Sequence, residues 1–122
     1  METNKGVATF YAKTRKQWRA WLQKNSSKKE EVYLILHNKK SKEKSVSYPE
    51  AVEEALCFGW IDSFKNKRNE ETAYQRFSPR KPNSNWSPSN IERVDRLTRE
   101  GLMTPAGQAA IDTAKLKGKW KE

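Results

Sequence analysis

One cysteine and one histidine are all the thiol and imidazole chemistry that the 122 residues contain. A lone Cys57 cannot form an internal disulfide, and Cys57 with His37 cannot supply the ligands of an ordinary zinc site, so no metal is expected. There is no Gly-x-Gly-x-x-Gly, no P-loop and no Gly-x-Ser-x-Gly pattern. That removes the common dinucleotide, nucleoside-triphosphate and serine-hydrolase signatures, and no cofactor is implied. Long apolar runs are missing too. The richest, Ala55-Leu56-Cys57-Phe58-Gly59-Trp60-Ile61, is far short of a bilayer span and is broken by a glycine. Met1 to Gly6 hold no apolar stretch of a secretion signal, so the expected setting is the reducing cytoplasm. Acidic residues are scarce, 15 against 25 Lys and Arg, for a formal net charge of +10.

What is present begins with aromatic rings. Apolar residues are only 34% and charged ones 33%, a balance close to that of disordered chains. Five Trp, four Tyr and four Phe decide against disorder, because each ring buries a large area in a small core. The length suits one domain, 1–122, with no repeat. The positive surplus draws anions to the surface: nucleic acid, anionic headgroups or phosphorylated metabolites. The plainer reading of the same surplus is a solvated, soluble surface.

Local signals divide the chain. Thr14 with Gln17 reads as a capping box, and Trp18, Trp21 and Leu22 share one face of the helix that follows. Glu31–His37 is apolar on both faces and reads as a central strand. Ser47 with Glu50, and Pro49 between them, starts a second helix that Gly59 ends. Trp60–Phe64 and Thr72–Phe77 read as a hairpin around the polar turn Lys65–Asn69. Ser78–Ser89 is a proline-rich loop. Ser87-Pro88 and Thr104-Pro105 start the last two helices, stopped by Gly101 and Gly118. Lys39–Lys44 and Lys115–Lys121 read as solvated lysine stretches. The expected fold is therefore α+β. A small, mainly antiparallel sheet of about three strands packs with about four helices, in the order α-β-α-β-β-α-α.

Three constellations carry chemistry. Arg76, Arg80, Lys81, Ser84 and Asn85 place guanidinium forks beside hydroxyl and amide donors, the set that phosphate contacts use. Local hydrogen bonds in an ordered loop would account for the same residues. Trp60 and Trp86 offer stacking walls, although tryptophans more often fill cores. Glu54, Cys57 and Asp62 cluster around the end of the second helix and are the acid, thiol and base candidates of an enzyme reading. Against it, Cys57 suits a small buried apolar position, and Glu54 suits an ion pair with Arg76 or Arg80.

Glu54-Ala-Leu-Cys-Phe-Gly-Trp-Ile-Asp-Ser63, Arg76-Phe-Ser-Pro-Arg-Lys-Pro82 and Ser84-Asn-Trp-Ser87 together resemble the YdeI/OmpD-associated family of bacterial proteins, also labelled bacteriocin-protection proteins. Trp18–Leu22 and Gly101…Pro105-Ala106-Gly107 are similar as well, so the resemblance covers nearly the whole chain. It implies roles in envelope stress and in bacteriocin or peptide tolerance. Members of that family usually continue into a further helical region, so the chain ending at Glu122 reads as a short or trimmed member. The expected function is a binding module for an anionic, phosphate-bearing ligand between the Gly59–Asp62 corner and the Arg76–Asn85 loop. Arg76 and Arg80 would hold the anion, oriented by Asp62 and Glu54. The alternatives are an enzyme using Glu54, Cys57 or Asp62, and a nucleic-acid-binding domain with its charge gathered on one face.

Overall fold

The structure, a computed structural model, describes residues 2–120; Lys121 of the last lysine stretch, and the terminal Glu122, lie outside the described residues. The elements are β1 (Thr3–Asn4), β2 (Val7–Tyr11), α1 (Arg15–Asn25), β3 (Val32–His37), α2 (Tyr48–Cys57), β4 (Trp60–Lys67), β5 (Thr72–Pro79), α3 (Pro88–Arg99) and α4 (Pro105–Leu116). The fold is α+β with four helices, but the sheet is not a three-stranded, mainly antiparallel one. It has five strands in the order β1-β2-β3-β5-β4, and β2 runs parallel to β3. The two N-terminal strands also change the element order.

The correction has a physical reason. Val7–Tyr11 is short and leads directly into the cap of α1, so Phe10 and Tyr11 look like a lead-in to the helix. A parallel partner reached through a helical crossover leaves no turn signature between the strands. The two residues of β1 are too few to show alternation. The hairpin is also longer than the turn residues suggest. Lys65 and Lys67 pair with Gln75 and Ala73, so only Arg68–Glu71 connects the strands.

Each helix begins on a side chain that accepts a backbone N–H: Thr14 from Gln17, Ser47 from Glu50, Ser87 from Asn90 and Thr104 from Gly107. Such caps satisfy donors that the first turn otherwise leaves open. Apolar stripes of all four helices join one core with a face of the sheet, α3 and α4 being packed chiefly against α2. Trp18, Leu22, Leu56, Val94, Leu97 and Ile111 meet Val32, Leu34, Leu36 and Phe77 there. On the other face Tyr33 and Ile35 are also buried, at 2% and 6% exposure. That face is closed by curling of the sheet. Its outer strands touch: Asn4 Nδ2 donates to Asn66 Oδ1 at 3.0 Å. In a flat five-stranded sheet the two edges would stand roughly 19 Å apart, four strand spacings of about 4.8 Å. Glu2 adds a second clasp, with Arg68 Nε at 2.7 Å and the Tyr74 hydroxyl both donating to it. These two donors hold the Glu2 carboxyl down at about 2.

Candidate functional site

Strands β4 and β5 bring the two informative stretches together. Trp60, Ile61 and Asp62 pair with Pro79, Ser78 and Phe77, and the Arg80 N–H donates to Gly59 O at 2.9 Å. Gly59 has φ +76° and faces Ala106 O of α4 at 3.1 Å from where a Cβ would stand. Only glycine suits that left-handed, crowded corner. The chain then leaves β5 as the loop 80–87, which closes on itself. Arg80 Nη2 donates to Asn85 O at 2.9 Å, and Ser84 N–H to Lys81 O at 3.0 Å.

Arg80 lies over the Trp86 indole, with Cζ 3.9 Å from the ring centroid. Its Nε and Nη1, and the hydroxyl of Ser84, are buried without any hydrogen-bond partner from the described residues. Buried polar atoms nearly always have partners, and an unmatched charged one is costly. Burial lowers the Arg80 guanidinium to about 10, against a smaller upward pull from the Asp62 carboxylate. At neutral pH it therefore keeps its charge inside the fold. The space beside it, about 160 Å³, is lined by Lys81, Pro82 and Trp86 from the loop and by Ala109, Ala110 and Thr113 from α4.

The other named residues go elsewhere. Arg76 sits within β5 beside Tyr33 on the curled face, donating to Glu31 at 3.0 Å and to the Ser63 and Ser78 hydroxyls. It does not join Arg80. Trp60 is 2% exposed in the core, its indole N–H directed at Ser26 O at 3.3 Å. Lys81 and the Asn85 side chain are exposed. Asp62 accepts the Tyr48 hydroxyl, and burial together with this carboxylate raises the Tyr48 phenol to about 12.

Glu54 pairs with neither Arg76 nor Arg80. It is 3% exposed and takes Arg15 Nε at 2.9 Å, Arg15 Nη2 at 2.5 Å and Arg19 Nη1 at 2.9 Å. Glu53 binds Arg15 and Arg96, and Arg96 reaches Glu100 at 3.0 Å. Three arginines and three glutamates thus tie α1, α2 and α3 together. Burial works against the charge on Arg15 and Arg19, but the Glu54 hydrogen bonds carry both above the ordinary arginine value. Cys57 is fully buried, and burial pushes its thiol up, away from the thiolate a nucleophile needs. The sole histidine, His37, has its Nδ1 2.7 Å from Ser41 Oγ, in another part of the fold. Neither Glu54 nor Cys57 is arranged for chemistry on a ligand.

Sequence reading missed the α4 wall of the Arg80 pocket. Its signal was the run of small residues Ala106, Ala109 and Ala110, which lets a helix approach a loop closely. Among the described residues no group of three or more His, Cys, Asp or Glu could hold a metal ion, and no helix is long and apolar enough to cross a membrane. Compared with known proteins, residues 10–110 match the family described as Domain of unknown function (DUF8412). No curated protein and no solved structure matches.

Proposed function

We propose that this chain, which belongs to the DUF8412 family of domains of unknown function, is a binding module for a small phosphate-bearing anion held by Arg80 and Ser84. The observation that carries the reading is the buried, charged guanidinium with two donors that no described residue accepts; the Ser84 hydroxyl of the same loop is likewise unmatched. A phosphate oxygen accepts from such donors and neutralises the charge at once. Trp86 fixes the guanidinium plane, and Lys81 adds a cation at the rim. A cavity of about 160 Å³ suits a terminal phosphate and leaves the rest of a larger ligand outside. Arg76 has its own partners and is not part of the site.

A cytoplasmic setting goes with this reading, since a phosphorylated metabolite is met there. A link to envelope stress and to bacteriocin or peptide tolerance rests on the resemblance of residues 54–63 and 76–87 to YdeI/OmpD-associated proteins alone.

The test is a heteronuclear NMR titration with inorganic phosphate, pyrophosphate and a sugar phosphate at moderate salt. Saturable shifts centred on 80–86 and on Ala109–Thr113 are expected, lost in Arg80→Met and weakened in Ser84→Ala. Shifts that ignore Arg80→Met, or none at all, would end the proposal.

A further inference from the structure

Phe64 is 64% exposed, on the outermost strand β4. Leaving such a ring in water forgoes most of the stabilisation that its burial would give. The sheet holds it there. The register passes from Asp62 opposite Phe77 to Lys65 opposite Gln75, so Ser63 and Phe64 form a bulge. Bulges re-aim side chains. Here one buried amide maintains it: Gln75, 2% exposed, donates through Nε2 to the carbonyls of Ser63 and Phe64, each at 3.1 Å, and of Arg76 at 3.3 Å.

Two cations lie near the exposed ring. Lys5 Nζ and Arg76 Cζ are each 5.9 Å from its centroid. The nearby carboxylates are already engaged, Glu2 with Arg68, Glu31 with Arg76 and Glu70 with Lys67. Lys5 has no carboxylate partner among the described residues. Other lysines are distributed over α1, the 38–46 loop and the end of α4, where they add long-range attraction without selecting a face.

We infer that Phe64 is a stacking platform for a base of single-stranded nucleic acid, with Lys5 meeting a flanking phosphate. An aromatic face with cations beside it is the arrangement that binds single strands without sequence preference, because every base has a π-face. A duplex hides those faces, so it gains only the charge attraction. The net charge of +10 complements the polyanion. This surface shares no residue with the Arg80 pocket, and the two proposals stand or fall separately.

The experiment is fluorescence anisotropy with a labelled oligothymidine and a duplex of equal length, over a salt series. The wild type is expected to prefer the single strand. Phe64→Ala should weaken it about thirtyfold, the middle of the range for one stacked base, while Phe64→Tyr retains binding. Lys5→Gln should flatten the slope of log affinity against log salt by about 0.7. Since Phe64 is exposed, unchanged thermal melting will show that the variants fold. Equal affinity for both nucleic acids with no effect of Phe64→Ala overturns the inference, as does absence of binding at low salt. So does Phe64-dependent binding to phosphatidylserine vesicles without binding of oligonucleotide.

Discussion

The Trp120 indole packs against that of Trp86 with ring centroids 5.1 Å apart. Arg80 lies on Trp86, and Lys115 Nζ is 5.1 Å from the Trp120 centroid, so the four side chains form a ladder of cation, ring, ring and cation. Backbone bonds secure it: Trp86 N–H donates to Lys119 O at 3.2 Å, and Lys119 N–H to Ala114 O at 2.8 Å. The segment after α4 thus sets the plane on which the proposed anion site rests. Trp120→Ala should cost about 1 kcal/mol from the ring pair and loosen phosphate binding without abolishing it. Arg80→Met should abolish binding at nearly unchanged stability. If Trp120→Ala left affinity intact while Arg80→Met removed it, the site would stand and the ladder would be structural only.

Glu54 is the least exposed carboxylate among the described residues and accepts from two arginines. Glu54→Gln keeps the shape but removes the charge, leaving Arg15 and Arg19 half-buried with too little compensation. The expected loss is about 3 kcal/mol of stability, in the range for breaking one side of a buried pair, measured by urea unfolding. Phosphate affinity should be unchanged in the folded fraction. A stable Glu54→Gln protein would mean that the arginines find other acceptors and that the network does not hold the helices.

Much of this was legible locally and little of it at long range. Thr14, Ser47, Ser87 and Thr104 announce their helices because a cap depends on the next three residues. The loop 80–86 announces its donors by composition. The partners of Glu54 were not legible. Its spacing places it on a helix face but does not say which helix faces it, and Arg15 lies 39 residues away. Strand β2 was hidden for a similar reason, since its pairing with β3 is made across a whole helix. Gln75 was unreadable as the prop of a bulge, because a polar residue in an amphipathic strand looks like its solvent side. Trp60 and Trp86 are chemically alike in sequence and both are buried in the core, yet only Trp86 also carries a cation, Arg80, on its ring.

Gly107 offers a test in which steric fit opposes helix propensity. It lies in the first turn of α4, where Thr104 N–H and hydroxyl both donate to Cys57 O. A Cβ at Gly107 would collide with that carbonyl and with Met103 Sδ. Propensity alone favours alanine by about 1 kcal/mol. The clash with backbone outweighs it, so Gly107→Ala should destabilise by about 1–3 kcal/mol, the usual cost of overpacking. Thermal unfolding of this variant beside Gly118→Ala separates the causes. Gly118, at φ +70° with nothing within 4 Å, tests backbone strain without a clash. A stabilised Gly107→Ala protein would show that α4 can shift away from α2.

Between pH 10 and 12 two groups should oppose one another. The Tyr48 phenol is raised from 10.0 to about 12, so the folded state holds its proton longer than the unfolded chain does. Its contribution is complete below pH 10 and is lost as pH rises through 12. Arg80 is lowered from the ordinary arginine value to about 10, so above pH 10 the folded state binds fewer protons than the unfolded chain. Stability then rises with pH on its account, as the penalty for a buried charge is relieved. Tyr48→Phe should leave the rising trend of Arg80 exposed, and Arg80→Met the falling trend of Tyr48, in urea unfolding across this window. Phenolate absorbance of the wild type minus that of Tyr48→Phe should place the Tyr48 titration near 12. A difference curve centred near 10 would mean that neither the burial of the Tyr48 phenol nor its Asp62 hydrogen bond holds in solution.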